Sequence, residues 1–128
     1  TCWGGNFLEQ MGDGTTTTRP SPTGVAGVRG VVWLASGDSH TCAVRGVGEA
    51  VCWGHDLRGQ LGNGLSGDAR PPSAVVGLTL AVRSSAGWGS TCSESLGGAL
   101  HCWGNNLYGQ LGDGTTTLRP TPTAVLGP

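Results

Sequence analysis

Lysine and isoleucine are missing altogether from this 128-residue chain, and all seven basic residues are arginine. Both absent residues use AT-rich codons, which points to a GC-rich source genome. Charge is scarce too: charged residues make up 12% of the chain and the formal net charge is −1. A nucleic-acid binder needs a basic face, so no nucleic-acid partner is expected. No apolar run approaches the ~20 residues that span a bilayer, so no membrane partner is expected either. The chain opens at Thr1 without the charged start and apolar stretch of a signal peptide. We therefore expect either a removed leader or a piece of something longer. Catalytic signatures are also missing: there is no G-x-S-x-G and no HExxH. "GDGT" lacks the D-x-D-x-D spacing of a calcium loop. No segment keeps a helical period over a dozen residues.

Glycine is what the chain has in excess, 25 of 128 residues, and its distribution is periodic. "CWGGNFLEQMGDGTTTTRP" starts at Cys2, "CWGHDLRGQLGNGLSGDARP" at Cys52 and "CWGNNLYGQLGDGTTTLRP" at Cys102. The spacing is 50 each time, so residues 2–51, 52–101 and a shortened 102–128 are copies of one unit. Self-similarity at this period marks a repeat architecture. "VVWLA" (Val31 to Ala35) is apolar and β-branched and reads as a strand. "HTCAV" and "AVCWG" flank the turn "RGVG" (Arg45 to Gly48), which makes a hairpin. "GQLGNG" (Gly59 to Gly64) supplies turns, and "RPPSAVV" (Arg70 to Val76) a proline-marked edge strand. Four short strands per repeat is the pattern of a propeller blade. The expected fold is all-β: a partial β-propeller of about 2.6 blades of four-stranded antiparallel sheet, one domain over 1–128.

W-G-x-N-x-x-G-Q-L-G-x-G, carried by Trp103, Gly104, Asn106, Gly109, Gln110, Leu111, Gly112 and Gly114, followed by R-P, resembles the regulator of chromosome condensation repeat. That family forms seven-bladed propellers. Glu9, Met11, Asp56 and Ser90 depart from the pattern. Most of the signature reads as structural. Trp3, Trp53 and Trp103, with Leu61 and Leu111, are expected to fill the space between blades. Glycines such as Gly54 and Gly104 permit tight turns, and Gln60 and Gln110 belong to the same motif. Asp13, Asn63 and Asp113 are expected to cap turns as Asx residues. Trp33, inside an apolar strand, is expected in the core.

Cys42 and Cys52 stand at equal distance from the hairpin centre at Val47, and Cys92 and Cys102 do the same about Gly97. Cross-strand neighbours are close enough to bridge, so disulfides Cys42–Cys52 and Cys92–Cys102 are expected. Cys2 is left unpaired. Such pairs belong to an oxidising compartment, which suggests an extracellular or cell-surface protein. Cys52-x-x-His55 and His101–Cys102 bring possible metal donors together in sequence. Adjacent strand residues point to opposite faces, however, and the other copies keep no His there. No metal and no cofactor are expected.

The copies differ most at "NFLEQ", "HDLRGQ" and "NNLYGQ". We therefore take Phe7, Leu8, Arg58, Leu107 and Tyr108 as candidate binding residues, together with Trp88, which aligns with Asp38 rather than with a repeated position. Trp, Tyr and Arg are enriched in interface hot spots. The resemblance implies three kinds of precedent: nucleotide exchange on a small nuclear GTPase, plant UV-B sensing through clustered tryptophans, and bacterial inhibition of β-lactamases. "GWGST" (Gly87 to Thr91) lacks the Arg and His of the UV-B motif and occurs once. A reducing nucleus conflicts with disulfides. The reading that remains is a non-enzymatic protein-binding scaffold, a fragment of a secreted bacterial repeat protein whose protein partner is unknown. The alternatives are a purely structural repeat segment, an exchange-factor-like propeller and, last, an enzyme. Two or three chains do not supply seven repeats (256/50 or 384/50). Further blades of a longer chain, rather than self-assembly, are thus expected to close the ring.

Overall fold

A computed structural model of the chain describes residues 1–127. Its ten strands are β1 (Cys2–Gly4), β2 (Arg19–Thr23), β3 (Val31–Ser36), β4 (His40–Arg45), β5 (Ala50–Asp56), β6 (Gly67–Ala74), β7 (Ala81–Ala86), β8 (Ser90–Ser95), β9 (Leu100–Gly104) and β10 (Arg119–Ala124). β1 pairs with β2 alone, whereas β3 to β6 and β7 to β10 form two four-stranded antiparallel sheets in simple chain order. The fold is that of a partial β-propeller. The blade frame is offset from the repeat frame, so β1 and β2 are the outer half of a blade.

The hairpin at "RGVG" forms where its turn residues placed it. Gly48 N–H donates to Arg45 O at 2.8 Å and Arg45 N–H to Glu49 O at 2.9 Å. This turn sets the register that puts Cys42 opposite Cys52, and its successor puts Cys92 opposite Cys102. Both pairs are joined, with S–S distances of 2.13 and 2.12 Å. Cys2 is free and half-buried. β6 starts three residues earlier than "RPP" suggested, at Gly67, and its prolines lie on the sheet's outer edge, where no ladder donor is required.

Alternation along β4 and β5 feeds two separate apolar layers. Cys42, Val44, Ala50 and Cys52 face one way and join Leu61, Val75, Leu78, Ala81 and Trp103. Ala43, Val51 and Trp53 face the other way, against Cys2, Val25 and Val28. Each layer between sheets thus contains one tryptophan. The ring of Trp103 lies against Gly62 so closely that a Cβ there would stand 2.6 Å from the indole nitrogen, and Gly62 also has φ +68°. Gly12 meets Trp53 in the same way. The motif glycine and the motif tryptophan of the next copy are therefore one contact.

Two expectations need correction. Trp3 is 63% exposed rather than packed between blades. The sockets of Trp53 and Trp103 are built by the copy before each of them, and residues 1–127 hold no such partner for Trp3. Trp33 is 45% exposed rather than core. β3 is the first strand of its sheet and lies beside β7 of the next. Trp33 spans that junction and donates its Nε1–H to Ser84 O at 2.8 Å.

Candidate functional site

The turns that follow β1, β5 and β9 are built by the motif itself. Asn106 Oδ1 accepts the N–H of Leu111 at 3.0 Å, and its Nδ2 donates to Asp113 Oδ1 at 3.1 Å and Thr115 O at 3.0 Å. One buried amide thus ties two consecutive turns together. Gln110 Oε1 accepts the N–H of Tyr108 at 2.9 Å, holding the crown of the turn. Asp113 acts as the expected Asx cap, accepting from Thr115 N–H at 2.9 Å. It also pairs with Arg119 at 2.7 Å, which explains the arginine of R-P. The first copy repeats this set with Asn6, Asp13, Thr15 and Arg19. Bonds from Arg19 and then Thr15 hold the Asp13 carboxyl down to about 2, and Thr115 and Arg119 likewise lower Asp113.

The second copy exchanges the two partners. Asp56 stands in the amide's place and Asn63 in the acid's. Asp56 Oδ1 still accepts from Leu61 N–H at 3.1 Å, and Arg70 lies 3.5 Å from its other oxygen. Burial dominates and raises the Asp56 pKa from its ordinary value, against the bond from Leu61 and the charge of Arg70.

Carbonyls of the same turns join neighbouring blades. Gln60 O accepts from both Trp103 Nε1–H and Thr91 Oγ1–H at 2.9 Å. Gln10 O does the same for Trp53 and Thr41. Thr91 spends its only proton on Gln60 O. Its oxygen must therefore accept from His40 Nε2, 2.8 Å away, which makes His40 a neutral Nε2–H tautomer. Burial, then the charge of His55, lowers its pKa to about 4, against the opposing pull of Asp38. The folded pKa lies below the unfolded value, so between pH 6.5 and about 4 the unfolded chain binds the proton first. Stability should fall with falling pH across that window, with a limiting slope of about 1.4 kcal/mol per pH unit for one proton. Denaturation midpoints measured against pH will show this limb, and His40→Ser, the residue found at position 90, will remove it.

The cross-blade contacts carry the variable turns onto one face, where a cavity of 210 Å³ opens. Its walls include Leu8 from the first turn, His55, Leu57, Arg58 and Gln60 from the second, Asp38 and Ser39 from the β3–β4 loop, and Trp88 from the β7–β8 loop. The Arg58 guanidinium carbon lies 5.5 Å from the centroid of the Trp88 ring, within cation–π range. Three of the six proposed binding residues, Leu8, Arg58 and Trp88, thus meet. Phe7, Leu107 and Tyr108 are exposed on the equivalent turns, Tyr108 by 89%, and are not part of this cavity's lining. Sequence reading missed Leu57, although it aligns with Phe7 and Leu107.

His55 and Ser39 stand close in the same cavity, with Nδ1 to Oγ at 3.5 Å. Gln60 Oε1 accepts from Arg58 N–H at 2.8 Å, which turns its Nε2 toward His55 Nδ1 at 3.3 Å. A donor thus occupies the nitrogen that would have to take the serine proton. Two larger cavities, of 390 and 380 Å³, contain Trp3 and Trp33 respectively.

The description "Regulator of chromosome condensation (RCC1) repeat" matches residues 2–44 and 97–128, and a second model of that description matches residues 31–60. The chain belongs to this family. Among curated proteins, none matches it. The crystal structure of human WBSCR16 superposes with a TM-score of 0.81 at 26% identity, over 98% of this chain and 34% of that one. Prp20p from Saccharomyces cerevisiae, described with its binding properties to Gsp1p and histones, gives a TM-score of 0.83 at 19% identity, over 98% and 33%. The yeast RCC1 (Prp20) structure with Kap60 bound gives 0.75 at 23%, over 96% and 32%. This repeat segment spans about a third of each of these structures.

Proposed function

We propose that the chain is a non-enzymatic protein-binding segment of a propeller, working in an oxidising, extracellular setting. The observation that carries this reading is the convergence of Leu8, Leu57, Arg58 and Trp88 on one face, from segments far apart in sequence. Exposed aromatic and arginine side chains on rigidly held loops are what interface hot spots are made of. The turns beneath them are fixed by buried amides and by cross-blade carbonyls, so the face is preorganised and little ordering entropy opposes binding. The blocked Ser39–His55 pair supports a binding role over a hydrolytic one. The two disulfides favour the secreted setting over the nuclear one that an exchange factor would need.

The test is a panel of secreted and surface proteins screened by biolayer interferometry, with Trp88→Ala/Tyr108→Ala as the comparison. Any specific partner should lose about tenfold or more in affinity with the double variant, while its melting temperature stays within about 2 °C. Partners that bind both proteins equally would place the function elsewhere.

A further inference from the structure

We infer that the cavity at Arg58 and Trp88 receives one acidic side chain from a partner protein's loop, presented beside an apolar or aromatic neighbour. The inference rests on the protein-binding reading above and specifies its chemistry. Size argues first. Small-molecule sites run to roughly 300–1,000 Å³, whereas this cavity measures 210 Å³, the scale of a single side chain.

Charge argues second. Among the described residues no carboxylate lies within 4.0 Å of the Arg58 guanidinium; Arg29 is likewise unpaired but lines no cavity described above, whereas Arg19, Arg45, Arg70, Arg83 and Arg119 all have acidic partners. Arg58 donates its backbone N–H to Gln60 Oε1, which leaves the guanidinium's role to its surroundings. Its planar fork of N–H donors lies over the Trp88 ring, with Asp38 in the same lining but beyond salt-bridge reach. Such a fork is matched by a carboxylate. The cation–π contact with Trp88 favours this guanidinium position, so less rotamer freedom is lost when the guest arrives.

The remaining walls set the rest of the guest. Leu8, Leu57 and the outer part of Trp88 offer apolar surface beside the cation. That combination suits an acidic residue next to a large apolar one. Asp38 lies in the same lining and is exposed. Its charge disfavours a second negative charge, so the guest is a monoanionic carboxylate rather than a phosphoryl group.

The experiment is the panning of a random peptide display library on the full chain, followed by calorimetry of enriched peptides against Arg58→Gln, Arg58→Lys and Asp38→Asn. Enriched peptides should share Asp or Glu next to an aromatic or large aliphatic residue. Arg58→Gln should weaken them about tenfold or more. Arg58→Lys should recover only part of that loss, since it keeps the charge but not the fork. Inorganic phosphate at millimolar concentration should not compete, and Asp38→Asn should improve phosphopeptide binding. Enriched peptides without an acid, or peptides indifferent to Arg58→Gln, overturn the inference and leave the protein-binding reading standing. Failure of every peptide and every panel protein to bind overturns both. Trp88 is exposed and Arg58 half-buried, and matching melting curves for each variant will separate lost binding from lost folding.

Discussion

Trp103→Ala will destabilise the chain by about 3–5 kcal/mol, as expected for emptying an aromatic site in a packed core. Three losses coincide. The ring is fully buried among the largest apolar cluster. Its Nε1–H leaves Gln60 O, and Gly62 is left facing a void shaped for an indole. The deleted contact also joins one sheet to the turn of the preceding copy, so the two sheets should part more readily. Trp53→Ala should behave alike, because it fills the equivalent socket at Gly12 and Gln10. Trp3→Ala, the same motif position but 63% exposed, should cost less than about 1 kcal/mol. Urea denaturation followed by circular dichroism will separate the three. Equal losses at Trp3 and Trp103 would sink the socket account.

Reduction of both disulfides will remove about 5 kcal/mol in all, roughly 2.5 for each ten-residue loop that is closed. The two bridges will not be reduced together. Cys42 and Cys52 are wholly buried within the layer that contains Leu61 and Trp103. Cys92 is only half-buried and lines an open cavity beside Leu100. A reductant without denaturant should therefore open Cys92–Cys102 first, and Cys42–Cys52 should wait for the blades to separate. Mass spectrometry of alkylated samples over time reads the order directly. Simultaneous loss, or Cys42–Cys52 going first, would contradict the packing described for β4 and β5.

The repeat, the strand order and the cysteine register were legible because each is encoded locally. A turn at Arg45 to Gly48 decides which residues face one another, and the 50-residue period repeats the decision. The links between blades were not legible. Gln10 and Gln60 act there through backbone carbonyls, and a carbonyl leaves no mark on residue identity. Trp33 was misread because composition alone makes "VVWLA" a core strand. Its counterpart one repeat later is Arg83, a residue that a buried position would not accept. At the candidate site, Leu8, Arg58 and Trp88 each stood out singly. Their meeting depends on how one blade's loop overhangs the next, which no spacing in the chain expresses.

The exchanged pair at Asp56 and Asn63 bears on how such a tandem array can change over time. Recombination between copies is easy when their sequences are this similar. A crossover between positions 56 and 63 would join the second copy to the first or third with two amides, or with two acids sharing one buried space. Two amides leave the arginine of R-P without its anion, and two acids repel each other out of water's reach. Either hybrid loses the balance that both parents keep. Those eight codons should thus be inherited as a block, while the exposed crown between them, where Leu57 and Arg58 sit, is free to diversify.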